Sequence, residues 1–177
     1  LRGFQPIISQ AGTTSTQSDR KATGRAALTY LFDNGLAPYF SYSTFFLPSI
    51  GIGADGKQFK PESGQQYEAG IKYQIPRTRA FVTAAVFDLT RENYVQTDPG
   101  TFLPVQRGKA RSRGLELEGV ASFDSGWDLI AAYTLLDNKV QETVDPSEQG
   151  KRLVQVPAQF SSLWAKYTVP DGKWKGF

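Results

Sequence analysis

The sequence predicts an all-β chain of antiparallel, up-and-down strands, and three observations carry that expectation. First, among 177 residues there are 12 Phe, 8 Tyr and 3 Trp with 17 Gly and 10 Pro, yet only 40% of residues are hydrophobic and the mean hydropathy is -0.38. Many aromatics and turn formers at modest hydrophobicity suit many strands separated by turns. Second, several stretches alternate apolar and polar residues with the two-residue period of a strand. Third, short and long connections take turns along the chain.

In order, strand chemistry covers residues 24–32, 36–46, 65–75, 79–90, 110–123, 127–138 and 158–169, about seven strands. Most are near the roughly 9–11 residues that a tilted transmembrane strand needs. Asp33-Asn34-Gly35, Pro76-Arg77-Thr78 and Asp124-Ser125-Gly126 are tight turns, and Pro170-Asp171-Gly172 starts another. Between them lie longer connections at 47–64, 91–109 and 139–157. A soluble sandwich has no reason to gather every long loop at one end, whereas a transmembrane barrel does so by having short turns on one side and long loops on the other. In 65–75, Tyr67, Ala69, Ile71, Tyr73 and Ile75 oppose Gln66, Glu68, Gly70, Lys72 and Gln74. In 110–123, Leu115, Leu117, Gly119, Ala121 and Phe123 oppose Glu116, Glu118 and Ser122. The 79–90 strand stays ambiguous, because Val82, Ala84 and Val86 interleave with Phe81 and Phe87. The expected unit is 23–177, a segment of a transmembrane barrel, after a polar loop or frayed terminus over 1–22. Leu1–Asp19 lacks the basic stretch and apolar run of a signal peptide.

Composition removes most enzyme classes. The chain has no His, Cys or Met, so Cys/His zinc sites, disulfides and Ser-His-Asp or Cys-His pairs are excluded. With 20 Lys+Arg against 17 Asp+Glu, no nucleic-acid partner is expected. The longest uncharged run, 34–54, is interrupted by Pro38, Pro48, Gly51 and Gly53, which rules out a membrane-spanning helix. Gly51-Ile52-Gly53-Ala54-Asp55-Gly56 spells G-x-G-x-x-G, but Pro61 follows closely and forbids the helix that a dinucleotide site requires. Glu116 and Glu118 share a strand face as a glycosidase pair would, or they line a wet lumen. Asp55, Asp98, Asp137 and Asp145 lack calcium-loop spacing, and no metal site is expected. Arg107, Lys109, Arg111 and Arg113 recur every second residue on the face that later carries Leu115 and Leu117. That suits a strand leaving hydrocarbon for anionic lipid headgroups, or a solvated strand extension with a bulge at Gly114.

Five strings carry a resemblance. The hairpin 30–43 (YLFDNGLAPYFSYS), the stretches 64–73 (GQQYEAGIKY) and 86–93 (VFDLTREN), the strand 113–119 (RGLELEG), and Val156-Pro157 with Ser162-Leu163-Trp164 and Tyr167 stand in order. Together they resemble TonB-dependent outer-membrane receptors for ferric siderophores, nearest the ferrichrome and hydroxamate branch. The resemblance implies a slice of a barrel of about 22 strands, located in the bacterial outer membrane and closed by a plug that this stretch does not contain. It also implies import of a ferric siderophore, with iron present only as the chelate and no covalently bound cofactor. Energy would come from the TonB complex through a missing N-terminal region, and outer-membrane lipid would surround the barrel. Not an enzyme is the corresponding expectation. The alternatives are a soluble carbohydrate-binding or glycosidase-like β-protein and a passive porin. Aromatics at extracellular strand ends are the candidate ligand contacts: Phe45, Phe46, Tyr94 and Phe102. Phe45 and Phe46 point opposite ways, so at most one faces the lumen.

Overall fold

The computed structural model describes residues 2–4, 18–153, 156–174 and 176. At the start, β1 (Arg2–Phe4) pairs antiparallel with β2 (Ser18–Arg20) in a two-stranded ribbon. The remaining strands are β3 (Arg25–Thr29), β4 (Leu36–Leu47), β5 (Glu62–Gln74), β6 (Arg79–Thr97), β7 (Pro104–Ser122), β8 (Trp127–Glu142) and β9 (Gln159–Tyr167). They form one antiparallel sheet in the order β3-β4-β5-β6-β7-β8-β9, each strand pairing with its sequence neighbour. This is the up-and-down arrangement that the connections predict.

The turns at one end are tight for local reasons. Gly35 and Gly126 sit at φ 85° and 95°, where a Cβ would be strained. In each case the amide closes the turn onto the residue three positions back, Phe32 or Phe123, at 3.0 Å. The other end differs from expectation in one respect. The connection expected over 91–109 shrinks to 98–103, because β6 and β7 are each 19 residues long. A membrane strand needs about 9–11, so the pair extends roughly 25 Å further along the ladder. Those extra residues are mostly polar, with Tyr94, Val95 and Val105 scattered among them, and carry no regular apolar–polar alternation from which a strand could be read.

Register settles the faces. The rows Ala84, Leu117, Tyr133 and Val86, Leu115, Leu135 lie on one side. On the other lie Thr83, Glu118, Ala132 and Ala85, Glu116, Thr134. Val82, Ala84 and Val86 thus join the apolar side, and Phe81 and Phe87 the polar one. Aromatics bracket the apolar band, with Trp127 and Tyr167 ring centroids 4.9 Å apart near the tight turns and Tyr42 and Tyr67 4.9 Å apart at the other margin. Such girdles mark the two interfaces of an outer-membrane barrel. Among the described residues, only Phe59, Ala85, Ala110 and Val140 are buried apolar side chains. The sheet therefore has no core of its own: one face meets lipid and the other meets the lumen. Gly114, where a bulge was an alternative, stays in regular register between Phe87 and Leu136. The slips fall instead between Glu92 and Tyr94, between Tyr94 and Val95, and at Lys109/Ala110.

The topology predicts accessibility. In intact cells, cysteines replacing Asn34 and Ser125 in the full-length protein are expected to resist a hydrophilic thiol reagent, while those replacing Lys57 and Glu148 react. The reverse pattern would mean that the barrel is inserted the other way up.

Candidate functional site

Beyond the apolar band, the long ends of β5, β6 and β7 bring a polar cluster together on the lumen-facing side. Arg91 donates through Nε to Oε1 of Glu62 at 2.5 Å and through Nη2 to Oε2 at 2.8 Å. Such a bidentate fork fixes the plane of the guanidinium. Glu62 is 8% exposed, whereas the Arg91 side chain is 47% exposed, so the rest of its edge is open. The Glu62 hydrogen bond raises the Arg91 pKa above its ordinary value.

Tyr94 joins this cluster through a backbone irregularity. In an unbroken strand, residues 91 and 94 would point to opposite faces. Asn93 adopts φ 61° where the β6–β7 register slips, and the extra residue turns Tyr94 towards Arg91. The Tyr94 ring lies 5.2 Å from the guanidinium carbon, within cation–π range. Burial pushes the Tyr94 phenol above its ordinary pKa. The ring rests on Gly108, where an added Cβ would stand 2.5 Å from ring atoms. Gly108→Ala is therefore expected to cost about 1–3 kcal/mol by overpacking. Gly108→Ala/Tyr94→Ala is expected to recover most of that cost, and a double-mutant cycle of folding free energies in the full-length protein measures it.

Two loops are tied to the same hairpin. Gln96 donates to the Thr143 hydroxyl at 3.2 Å, joining the connection after β8. Gln106 accepts from the Lys60 amide at 2.6 Å and donates to the carbonyls of Asn93, at 2.7 Å, and Lys60. With Ala54 N–H on the Pro104 carbonyl at 3.0 Å, this fastens the 48–61 loop to β6–β7. Chemically, the cluster offers a fixed cation, an aromatic face and several amide and hydroxyl groups to an oxygen-rich ligand.

The residues singled out from sequence fall in different places. Phe45 pairs with Gly64 on the lumen-facing side, whereas Phe46 pairs with Ser63 on the face of Tyr42. Phe102 lies at the β6–β7 tip, 80% exposed at φ 56°, in a turn where Asp98 accepts from the amides of Gly100 and Thr101. Lys109, Arg111 and Arg113 share the outward face just beyond Leu115, but each is already paired. Lys109 meets Glu92 at 3.0 Å, while Arg111 and Arg113 both hold Asp88, at 2.5 and 3.0 Å. The Arg107 side chain lies outside the described residues. The G-x-G-x-x-G stretch is a loop closed by an Ile52–Gln58 bridge, with no helix after it. Glu116 and Glu118 are exposed on the lumen-facing side, beside Glu68, which accepts from the Tyr39 hydroxyl at 2.7 Å. Sequence alone does not single out Glu62, Arg91 and Gln96, because they fall in the expected connections at 47–64 and 91–109. The signal was present as opposite charges flanking two adjacent predicted strands.

Comparison with known proteins bears on the family and the fold. The family described as TonB dependent receptor-like, beta-barrel matches residues 4–177. The ferrichrome outer membrane transporter/phage receptor of Escherichia coli K12 is 44% identical over 168 residues, 94% of this chain and 22% of the relative. The ferrioxamine B receptor of Salmonella typhimurium is 40% identical over 152 residues, 86% of this chain and 22% of the relative. The chain thus spans about a fifth of the length of these relatives. In fold, it resembles the ferripyoverdine receptor of the Pseudomonas aeruginosa outer membrane, with a TM-score of 0.72 and 24% identity over 91% of this chain and 22% of that one. The siderophore receptor PiuA of Acinetobacter baumannii gives a TM-score of 0.72 and 24% identity, over 90% of this chain and 26% of that one. By name these relatives are receptors and transporters, not enzymes, and they place the seven-stranded sheet within an outer-membrane barrel. The chain belongs to the TonB-dependent receptor β-barrel family.

Proposed function

We propose that the receptor containing this segment imports a ferric siderophore of the hydroxamate type across the outer membrane. The TonB complex supplies the energy through a region outside these residues, and iron travels only as the chelate. The observation that carries this is the 44% identity to a ferrichrome transporter across 94% of the chain. The ferrioxamine B receptor supports the same ligand class. Within the segment, Tyr94 and Phe45 are the aromatics placed to meet the chelate, and the open edge of Arg91 is placed to meet its oxygens. Phe46 faces outward and Phe102 caps a hairpin tip, so they stand further from such a contact. On the outside, Lys109, Arg111 and Arg113 lie at headgroup level. Asp88 balances only one of its two arginines, which leaves net positive charge towards anionic lipid.

The test is growth on ferrichrome or ferrioxamine B as sole iron source, with and without TonB. Growth is expected only with TonB, and TonB-independent growth would indicate a passive porin. Tyr94→Ala and Phe45→Ala are expected to weaken chelate binding about tenfold each, at roughly 1.4 kcal/mol per decade. Normal binding by both variants would remove them as contacts.

A further inference from the structure

On the outward face, the wall formed by β6, β7 and β8 is recessed just inside the tight turns. Ala80 pairs with Ala121, and Val82 with Gly119, which pairs in turn with Ala131. These small side chains floor a groove of about 910 Å³ with Ile75 at one side and Leu163 at the other. Arg77, Arg79 and Asp124 stand at its tight-turn end. One row deeper in the apolar band lie Leu117 and Tyr133, while the Trp127–Tyr167 ring pair marks the interface. The groove therefore runs from the interface into hydrocarbon.

Gly119 is the informative residue. Glycine inside a strand gives up packing and backbone entropy, and it often marks a place where another molecule approaches the backbone. Gly64, Gly70, Gly108 and Gly114 are explained within the sheet, because Phe45, Tyr39, Tyr94 and Phe87 lay their rings over them. A Cβ at Gly119 would meet Val82 Cγ1 at 3.7 Å, an ordinary contact. The sheet itself thus leaves the space over Gly119 open.

Charge names the occupant. Arg79 donates to Asp124 at 2.6 Å and is balanced by it, whereas Arg77 has no acidic partner among the described residues. A cation at the interfacial end of an apolar groove complements a phosphate with an acyl chain beneath it. The short turns of an outer-membrane barrel face the periplasm, so the lipid within reach belongs to that leaflet. We propose that this groove binds one anionic phospholipid of the periplasmic leaflet, with an acyl chain over Gly119 and the phosphate at Arg77. The site needs the membrane placement of the barrel but not the identity of the transported chelate.

Photo-crosslinking of the full-length protein in phosphatidylcholine vesicles tests this. The probe is phosphatidylglycerol with a diazirine in its acyl chain, present as a minor component, and adducts are located by mass spectrometry. They are expected to concentrate on the peptides around Gly119 and Ala131 and to be competed away by unlabelled phosphatidylglycerol. Arg77→Gln is expected to lower their yield about fivefold, the worth of one basic residue at an anionic lipid surface. Gly119→Leu fills the recess and is expected to lower it at least as far. Adducts spread evenly around the outer wall, or a yield that Arg77→Gln leaves unchanged, would mean ordinary bulk lipid and overturn the site. Adducts that avoid β7 and β8 would overturn it equally, by showing that another occupant, such as a second copy of the chain, covers the groove. Heat-modifiable migration on gels checks that each barrel has assembled, and Arg77→Gln decides alone where Gly119→Leu does not assemble.

Discussion

Replacing Leu117 by Arg in the full barrel is expected to cost about 2–4 kcal/mol of folding free energy, because the charge enters the middle of the hydrocarbon band. Leu117 lies between Ala84 and Tyr133 on the outward face. Glu118→Arg, one residue along, points into the lumen and is expected to change little beyond local charge. Such asymmetry alone would also suit a soluble sheet with one buried face. The decisive position is Phe123, at the tight turn where its amide meets the Trp127 carbonyl at 2.8 Å. There the cost of Arg is expected to fall to about 0–1 kcal/mol, because the interface is close. Folding free energies of the three variants in bilayers would decide the matter. Equal, large penalties at Leu117 and Phe123 would contradict the membrane placement.

The second large effect belongs to the Arg91–Glu62 pair. Arg91→Leu is expected to cost about 2–3 kcal/mol, because it leaves a nearly buried carboxylate without its charged donor. The partial exposure of Arg91 keeps this below the penalty for a fully buried pair. Glu62→Leu/Arg91→Leu is expected to recover a large part, because replacing both partners strands no charge. If the double variant were no more stable than Arg91→Leu, the pair would not be what holds the strand ends. Chelate binding gives a second readout: the double variant is expected to regain stability without regaining affinity, since the cation towards the ligand is gone.

Much of this architecture is legible in the residues themselves. Turn chemistry at 33–35 and 124–126 is local, since positive φ is readily supplied by glycine, and the structure places Gly35 and Gly126 there. The alternation in β5 and β7 is likewise local and identifies their faces without a partner. The 3–4 Å between neighbouring residues along a strand keeps such signals within a few positions.

Other features required neighbouring strands. Both faces of β6 carry apolar residues, so periodicity could not orient it; pairing Ala84 with Leu117 and Ala85 with Glu116 did. The extension of β6 and β7 past the membrane rests on ladder bonds between polar residues and on Gln106 holding the 48–61 loop, contacts between positions as much as 46 apart. The site depended most on tertiary structure. Glu62 and Arg91 are 29 residues apart and meet because β5 lies beside β6, and Tyr94 reaches them because a bulge at Asn93 shifts it to their face. Residue type alone determined that this chain is a barrel segment with tight turns at one end, whereas the connection expected over 91–109 proved to be mostly strand, with only 98–103 left as loop. Which side chains share the lumen was decided by register and by one residue of backbone slippage, since a single-residue shift moves a side chain to the opposite face of a sheet.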